Sequence, residues 1–123
     1  MGSVGLKGDS EKRAHAFITD ALSTRVDYYV KKDGYEGAED SESNDFSDLE
    51  GNAATVIPFW SKSFLPYARK WGETCPVQEL SLEDFLKFWL TGMDKDGLIV
   101  GLNWDQNGIG YEGLPTEVLE KLK

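Results

Sequence analysis

Residues 33–50 read DGYEGAEDSESNDFSDLE and hold eight carboxylates with no Lys or Arg. They are Asp33, Glu36, Glu39, Asp40, Glu42, Asp45, Asp48 and Glu50. The 123-residue chain has 22 acids, 13 bases and a net charge of −9; without this stretch, 14 acids face 13 bases. The acidity is therefore local, laid on a nearly neutral scaffold. A focused negative field steers a basic partner and speeds its encounter, whereas dispersed charge mainly aids solubility. The stretch reads either as a solvated connection that serves no partner or as a docking surface in which Glu36, Glu39, Asp40, Glu42, Asp45 and Asp48 attract the partner. Tyr35 and Phe46 would add the buried contact that charge alone does not supply.

The other reactive residues assemble no catalytic set. His15 is the single His and falls on the polar side of a helical pattern, with nothing placing it near Cys75, the single Cys. A Ser- or Cys-nucleophile mechanism needs such a base within reach. A structural zinc site needs several Cys or His ligands. Asn103 to Gly108 imitates the first half of an EF-hand loop, but the twelfth position, which should be Glu, is Leu114. Glu83 and Asp84 sit side by side at a helix start, where the helix dipole favours acids. Gly108, Gly110 and Gly113 open no phosphate-binding helix. Lys62, Arg69 and Lys70 are too few for a nucleic-acid surface. We therefore expect no catalytic residues, no cofactor and no metal.

The elements that carry these residues follow from periodicity. Ala14, Phe17, Ile18, Ala21 and Leu22 share one face of a helix expected over residues 10–23, capped by Asp9 or Ser10. Residues 26–32 read as a strand with Val26, Tyr28 and Val30 on one side. Gly, Ser and Asn make residues 33–53 an acidic loop, with room for a frayed strand around Phe46 to Leu49. TVIPF at 55–59 reads as a strand that lies at a sheet edge or ends at Pro58, which lacks a backbone donor. A short helix capped by Ser63 carries Pro66 in its first turn. Residues 77–80 extend briefly. SLEDFLKFWLTGM, beginning at Ser81, aligns Leu82, Phe85, Leu86, Trp89, Leu90 and Met93, with Ser81 and Asp84 as a capping pair. LIVGLNW at 98–104 reads as a strand buried on both faces. A turn at 105–108 returns the chain through Ile109 to Glu112, and Pro115 opens a last helix with Val118, Leu119 and Leu122 inward. This order predicts an α+β domain over residues 10–123, preceded by a loose tail at 1–9. Its sheet is small, largely antiparallel and packed on one face by helices.

These pieces resemble a bacterial family catalogued as domain-of-unknown-function family 2750. The likeness is carried by VDYYVKK, VIPFWS, LSLEDFLKFWLTGMDKDGLIVG and GLPTEVLEKL, and it covers residues 14–122. It departs between Val30 and Val56, where the family carries a Trp-Gly-bearing strand and a second hairpin strand but this chain is acidic and Ser-rich. The resemblance implies the fold and transfers no chemistry.

The expectation is a non-catalytic module that binds a basic protein, in its most concrete form an immunity or antitoxin-like inhibitor. An adaptor for a larger complex would look the same in sequence. The rival is a small-molecule-binding domain or enzyme with a pocket lined by Trp60, Trp71, Trp89 and Trp104, residues whose size suits a core equally well. A lone Cys fits a reducing cytoplasm, and no stretch approaches the roughly 20 apolar residues that span a bilayer. No membrane or direct nucleic-acid partner is expected.

Overall fold

The computed structural model describes residues 2–34 and 37–123, with side chains from Asp9 onward. Helix α1 (Gly2–Thr24) starts ahead of the expected position, so Asp9 and Ser10 lie inside it rather than capping it. Asp9 instead accepts from Arg13 one turn later, at 2.8 Å. Ala14, Phe17 and Ala21 form the buried stripe, while Leu22 is exposed.

Strand β1 (Val26–Val30) pairs antiparallel with β4 (Val77–Ser81), giving a two-stranded ribbon. A four-stranded sheet runs in the order β2 (Ser41–Ser47), β3 (Ala53–Phe59), β5 (Ile99–Leu102), β6 (Tyr111–Gly113). Of the four strand pairings among the described residues, three are antiparallel and one, β3 with β5, is parallel. The fold is the expected α+β domain, but its strands form a ribbon and a sheet where a single sheet was expected. Helices contribute to the apolar clusters on both sides, with Ala68, on the helix Leu65–Gly72, opposite Phe17 of α1. The ribbon joins the sheet through one bridge, in which Tyr28 and Trp60 exchange backbone bonds of 2.9 and 2.8 Å.

The segment expected as an acidic loop contains β2. Ser41 and Glu42 pair with Val56 and Thr55, and Ser47 pairs with Ala53. Five steps along β2 between Glu42 and Ser47 therefore oppose only two along β3. Such a bulge bends a strand and scrambles its side-chain alternation, which is why composition and periodicity hid it. The segment that departs from the family resemblance thus holds a strand of its own, in acidic dress.

Two apolar clusters cover the sheet. The larger gathers Phe17 and Ala21 of α1, Phe59, Phe85, Leu90, Val100, Leu102 and Val118. The smaller, on the other side, gathers Val30, Val56, Trp60, Ala68, Ile99 and Trp104, with Phe46 and Trp71 partly buried against it. Strand β5 is buried at every residue, as its continuous apolar run predicted. Gly101 leaves room for Trp104, since a Cβ there would lie 2.7 Å from the indole ring.

Helix α2 (Leu65–Gly72) follows a 3₁₀ turn (Lys62–Phe64). The expected Ser63 cap is not formed: Ser63 donates its amide and hydroxyl to Asp20 on α1, at 2.9 and 3.0 Å. The aromatic helix begins as α3 (Leu82–Asp84), widens into a π-helical segment (Phe85–Trp89) and continues as α4 (Leu90–Lys95). Ser81 caps it as predicted, accepting the Asp84 amide at 3.1 Å. The Leu90 amide reaches back to the Phe85 carbonyl, so Phe85 and Leu90 stack one wide turn apart and both point inward. Helix α5 (Pro115–Leu122) buries Val118 and Leu122 against the larger cluster.

Candidate functional site

The acidic segment is an edge hairpin. Strand β2 pairs only with β3 and leads into the turn that returns to it. Asp48 builds that turn: its Oδ1 accepts the amides of Glu50 and Asn52, both at 2.9 Å, and its own amide donates to the Asn52 carbonyl at 2.8 Å. Gly51 supplies the left-handed residue, at φ 86°. An acidic side chain thus fixes the tip that carries it.

Among the described residues, Asp33, Asp40, Glu42, Asp45, Asp48 and Glu50 are exposed and Glu39 is half-buried. None of the seven lies within ion-pair distance of a Lys or Arg among the described residues; the pairs that form there are Arg13 with Asp9 and Lys123 with Glu120. Six of the seven are turned to solvent, and none is paired with a described cation. Tyr35 and Glu36, both expected contacts, lie outside the described residues. Phe46 is partly committed to the smaller cluster. The apolar side chain the hairpin does offer is Leu49, at 106% relative exposure between Asp48 and Glu50. Composition gave no reason to single it out, because its role comes from standing at the tip of a turn whose hydrogen bonds point it outward.

The bulge is anchored from across the sheet. Glu112 sits on β6, the far edge, yet its carboxylate accepts the Ser43 hydroxyl and, at 3.1 Å, the Asn44 amide. Ser43 Oγ in turn accepts the amides of Asp45 and Phe46, at 3.1 and 2.8 Å. One acid therefore holds the bulged part of β2 in place. In the sequence Glu112 marked only the end of a returning strand, two residues short of the twelfth position of the EF-hand-like stretch from Asn103. The Asp105 side chain of that same motif is occupied by the amides of Asn107 and Ile109, at 2.8 and 3.1 Å.

The aromatic residues divide between core and partial exposure. Trp60 and Trp104 are fully buried and donate their indole N–H groups to the Trp104 and Tyr111 carbonyls, at 2.8 and 2.9 Å. Trp71 packs between them, 5.4 Å from Trp60 and 6.1 Å from Trp104 by ring centroid. Trp89 lies against Tyr29 and Phe59 on the larger cluster. His15 is exposed on α1, and Cys75 is half-buried in the connection before β4.

Two buried polar groups escaped the sequence reading. Asn103, at φ 51°, accepts the Ser61 amide at 2.8 Å and donates to the Ser61 hydroxyl and the Arg13 carbonyl, at 3.1 and 3.3 Å. It ties the ends of β3 and β5 to α1. Asp27 has 0% exposure, and neither carboxylate oxygen has a hydrogen-bond partner. Burial holds its carboxyl well above the usual carboxylate range, so the neutral acid is the form that suits the fold.

The model of the family described as "Protein of unknown function (DUF2750)" matches residues 14–122. The chain belongs to that family. No curated protein and no solved structure matches it. Among the described residues, no helix is long and apolar enough to cross a membrane.

Proposed function

We propose that this DUF2750 member is a non-catalytic protein-binding module of the cytoplasm that captures a basic partner on its acidic edge hairpin. The observation that carries this reading is the absence of any cation within ion-pair reach of the seven described acids of that segment. Carboxylates left unpaired at a sheet edge project a negative field, and the structure spends nothing internally to neutralise it. In this reading Asp40, Glu42, Asp45 and Asp48 steer the encounter and Leu49 provides the apolar contact, with Phe46 held behind it. Inhibition of a basic toxin, as by an immunity or antitoxin-like protein, is the most concrete task that such a surface suits.

The test is capture from native lysate by the full chain and by a variant carrying Asp40→Asn, Glu42→Gln, Asp45→Asn and Asp48→Asn. The proposal expects the wild-type chain to retain a basic protein at low salt, release it at high salt, and lose it in the variant. Retention of the same proteins by both chains would overturn it.

A further inference from the structure

A cleft of about 440 Å³ lies away from the acidic hairpin, between α2 and the β1–β4 ribbon. Its volume falls within the range of small-ligand sites. The walls follow from simple periodicities. Leu65, Arg69 and Glu73 recur every four residues and form one face of α2 and its C-cap. Val77 and Glu79 lie on one side of β4, and Tyr28 stands directly opposite Glu79 in the ribbon. Cys75 and Pro76 close the end.

The polar groups of this cleft are arranged in opposition. From the helix side comes Arg69, which has no ion pair among the described residues although Glu73 and Glu79 line the same space. From the ribbon side comes Glu79, whose Oε1 accepts the Tyr28 hydroxyl at 3.2 Å. The hydroxyl belongs to a buried ring, so it fixes where that carboxylate sits. Glu73 is held at φ 53° and ψ −108°, a conformation uncommon for a residue with a side chain. Strain of this kind tends to persist where it serves a site. Leu65, Pro76 and Val77 add apolar lining to the same cleft.

We propose that this cleft binds a free α-amino acid with an apolar side chain. Its carboxylate pairs with the Arg69 guanidinium, its ammonium group with Glu79 and Glu73, and its side chain covers Leu65, Pro76 and Val77. A zwitterion meets the guanidinium and the two carboxylates at once, which neither a simple anion nor a simple cation does. Guanidinium–carboxylate contacts are among the stronger polar interactions because both groups are ionised and their geometries match. The inference is independent of the acidic hairpin.

The test uses amide NMR of the full chain titrated with L-leucine, L-methionine and L-phenylalanine up to about 10 mM, which covers millimolar affinity. Isopentylamine and 4-methylpentanoate present the ammonium and the carboxylate separately. Shifts confined to α2, residues 73–77 and Glu79 are expected with at least one amino acid, and each half-ligand should bind about tenfold more weakly or worse, the value of one charge-assisted contact. Arg69→Gln, a substitution at an exposed position, should weaken the amino acid by a similar factor and leave the amine unchanged. Absence of cleft shifts with all three amino acids would overturn the proposal. So would binding that is indifferent to Arg69→Gln, or binding of the amine as tight as that of the amino acid.

Discussion

The Glu112 carboxylate on β6 holds the Ser43 hydroxyl and the Asn44 amide on β2, so the two outer strands of the sheet are joined by one acid. Ser43 is buried and itself accepts two amides of the bulge. Replacing Glu112 with Ala removes the acceptor and leaves those donors to find water. The expected cost is about 1–2 kcal/mol, in line with losing hydrogen bonds to a charged group. Amide exchange across residues 43–46 should accelerate more than exchange in β5. Equal acceleration in both strands would mean that Glu112 supports the fold generally and not the hairpin.

Asp27 predicts a pH dependence of stability with a definite sign. Burial raises its folded carboxyl well above the ordinary value, whereas in the unfolded chain it ionises near the usual carboxylate range of about 4. The folded form therefore keeps its full contribution in acid and loses stability as pH rises above that range, until the folded carboxyl itself ionises. Asp27→Asn removes the titration. In urea denaturation between acid and neutral pH, the stability difference between Asp27→Asn and wild type should grow in favour of the variant as pH rises. A difference that stays flat would show that the carboxyl is not held neutral.

Asp20 contributes the opposite sign. Burial raises its carboxyl, but the Ser63 amide, the Ser63 and Ser61 hydroxyls and the nearby Lys62 outweigh that and leave it lowered. Its stabilisation is present at neutral pH and is lost in acid as the folded carboxyl protonates. Asp20→Asn should therefore lower stability at neutral pH, and the deficit should shrink as pH falls through the carboxylate range. A deficit independent of pH would assign the contact to packing alone.

Asn103 is the polar pin between β3, β5 and α1. Asn103→Ala strands the buried Ser61 amide and puts a Cβ residue without a local hydrogen bond at φ 51°. The two effects together should cost about 3 kcal/mol by denaturant melting. Asn103→Asp keeps an oxygen acceptor for the Ser61 amide but gives up the donors to Ser61 and Arg13, so it should fall between the two. A loss below about 1 kcal/mol for the Ala variant would contradict the role given to this side chain.

Much of this architecture was legible in the residues. The Leu82 to Met93 pattern and the Ser81 cap marked the central helix, and the run from Leu98 marked a strand buried on both sides, because apolar spacing and capping act locally. What escaped depended on distant partners. The π-helical turn puts Phe85 and Leu90, five residues apart, into one buried cluster with Phe59 and Val100, a spacing that the ordinary helical period does not encode. Strand β2 was hidden because its bulge breaks alternation and its anchor, Glu112, lies 69 residues away from Ser43. Asp27 drew no attention in the sequence, because nothing local tells that the side of the strand opposite Val26, Tyr28 and Val30 is covered as well. At the candidate site, the acids were plain in composition, but the role of Leu49 required the turn, and the Arg69 cleft required α2 to meet the ribbon.

The central claim is that uncompensated charge on the edge hairpin governs association with a basic partner. Its most direct test is the association rate of the protein retained from lysate, measured by stopped flow across a range of salt for wild type and for the four-acid variant. The account predicts a wild-type rate that falls steeply with salt, and a variant rate that is slower at low salt and nearly independent of it. Matching salt slopes for the two chains would contradict it.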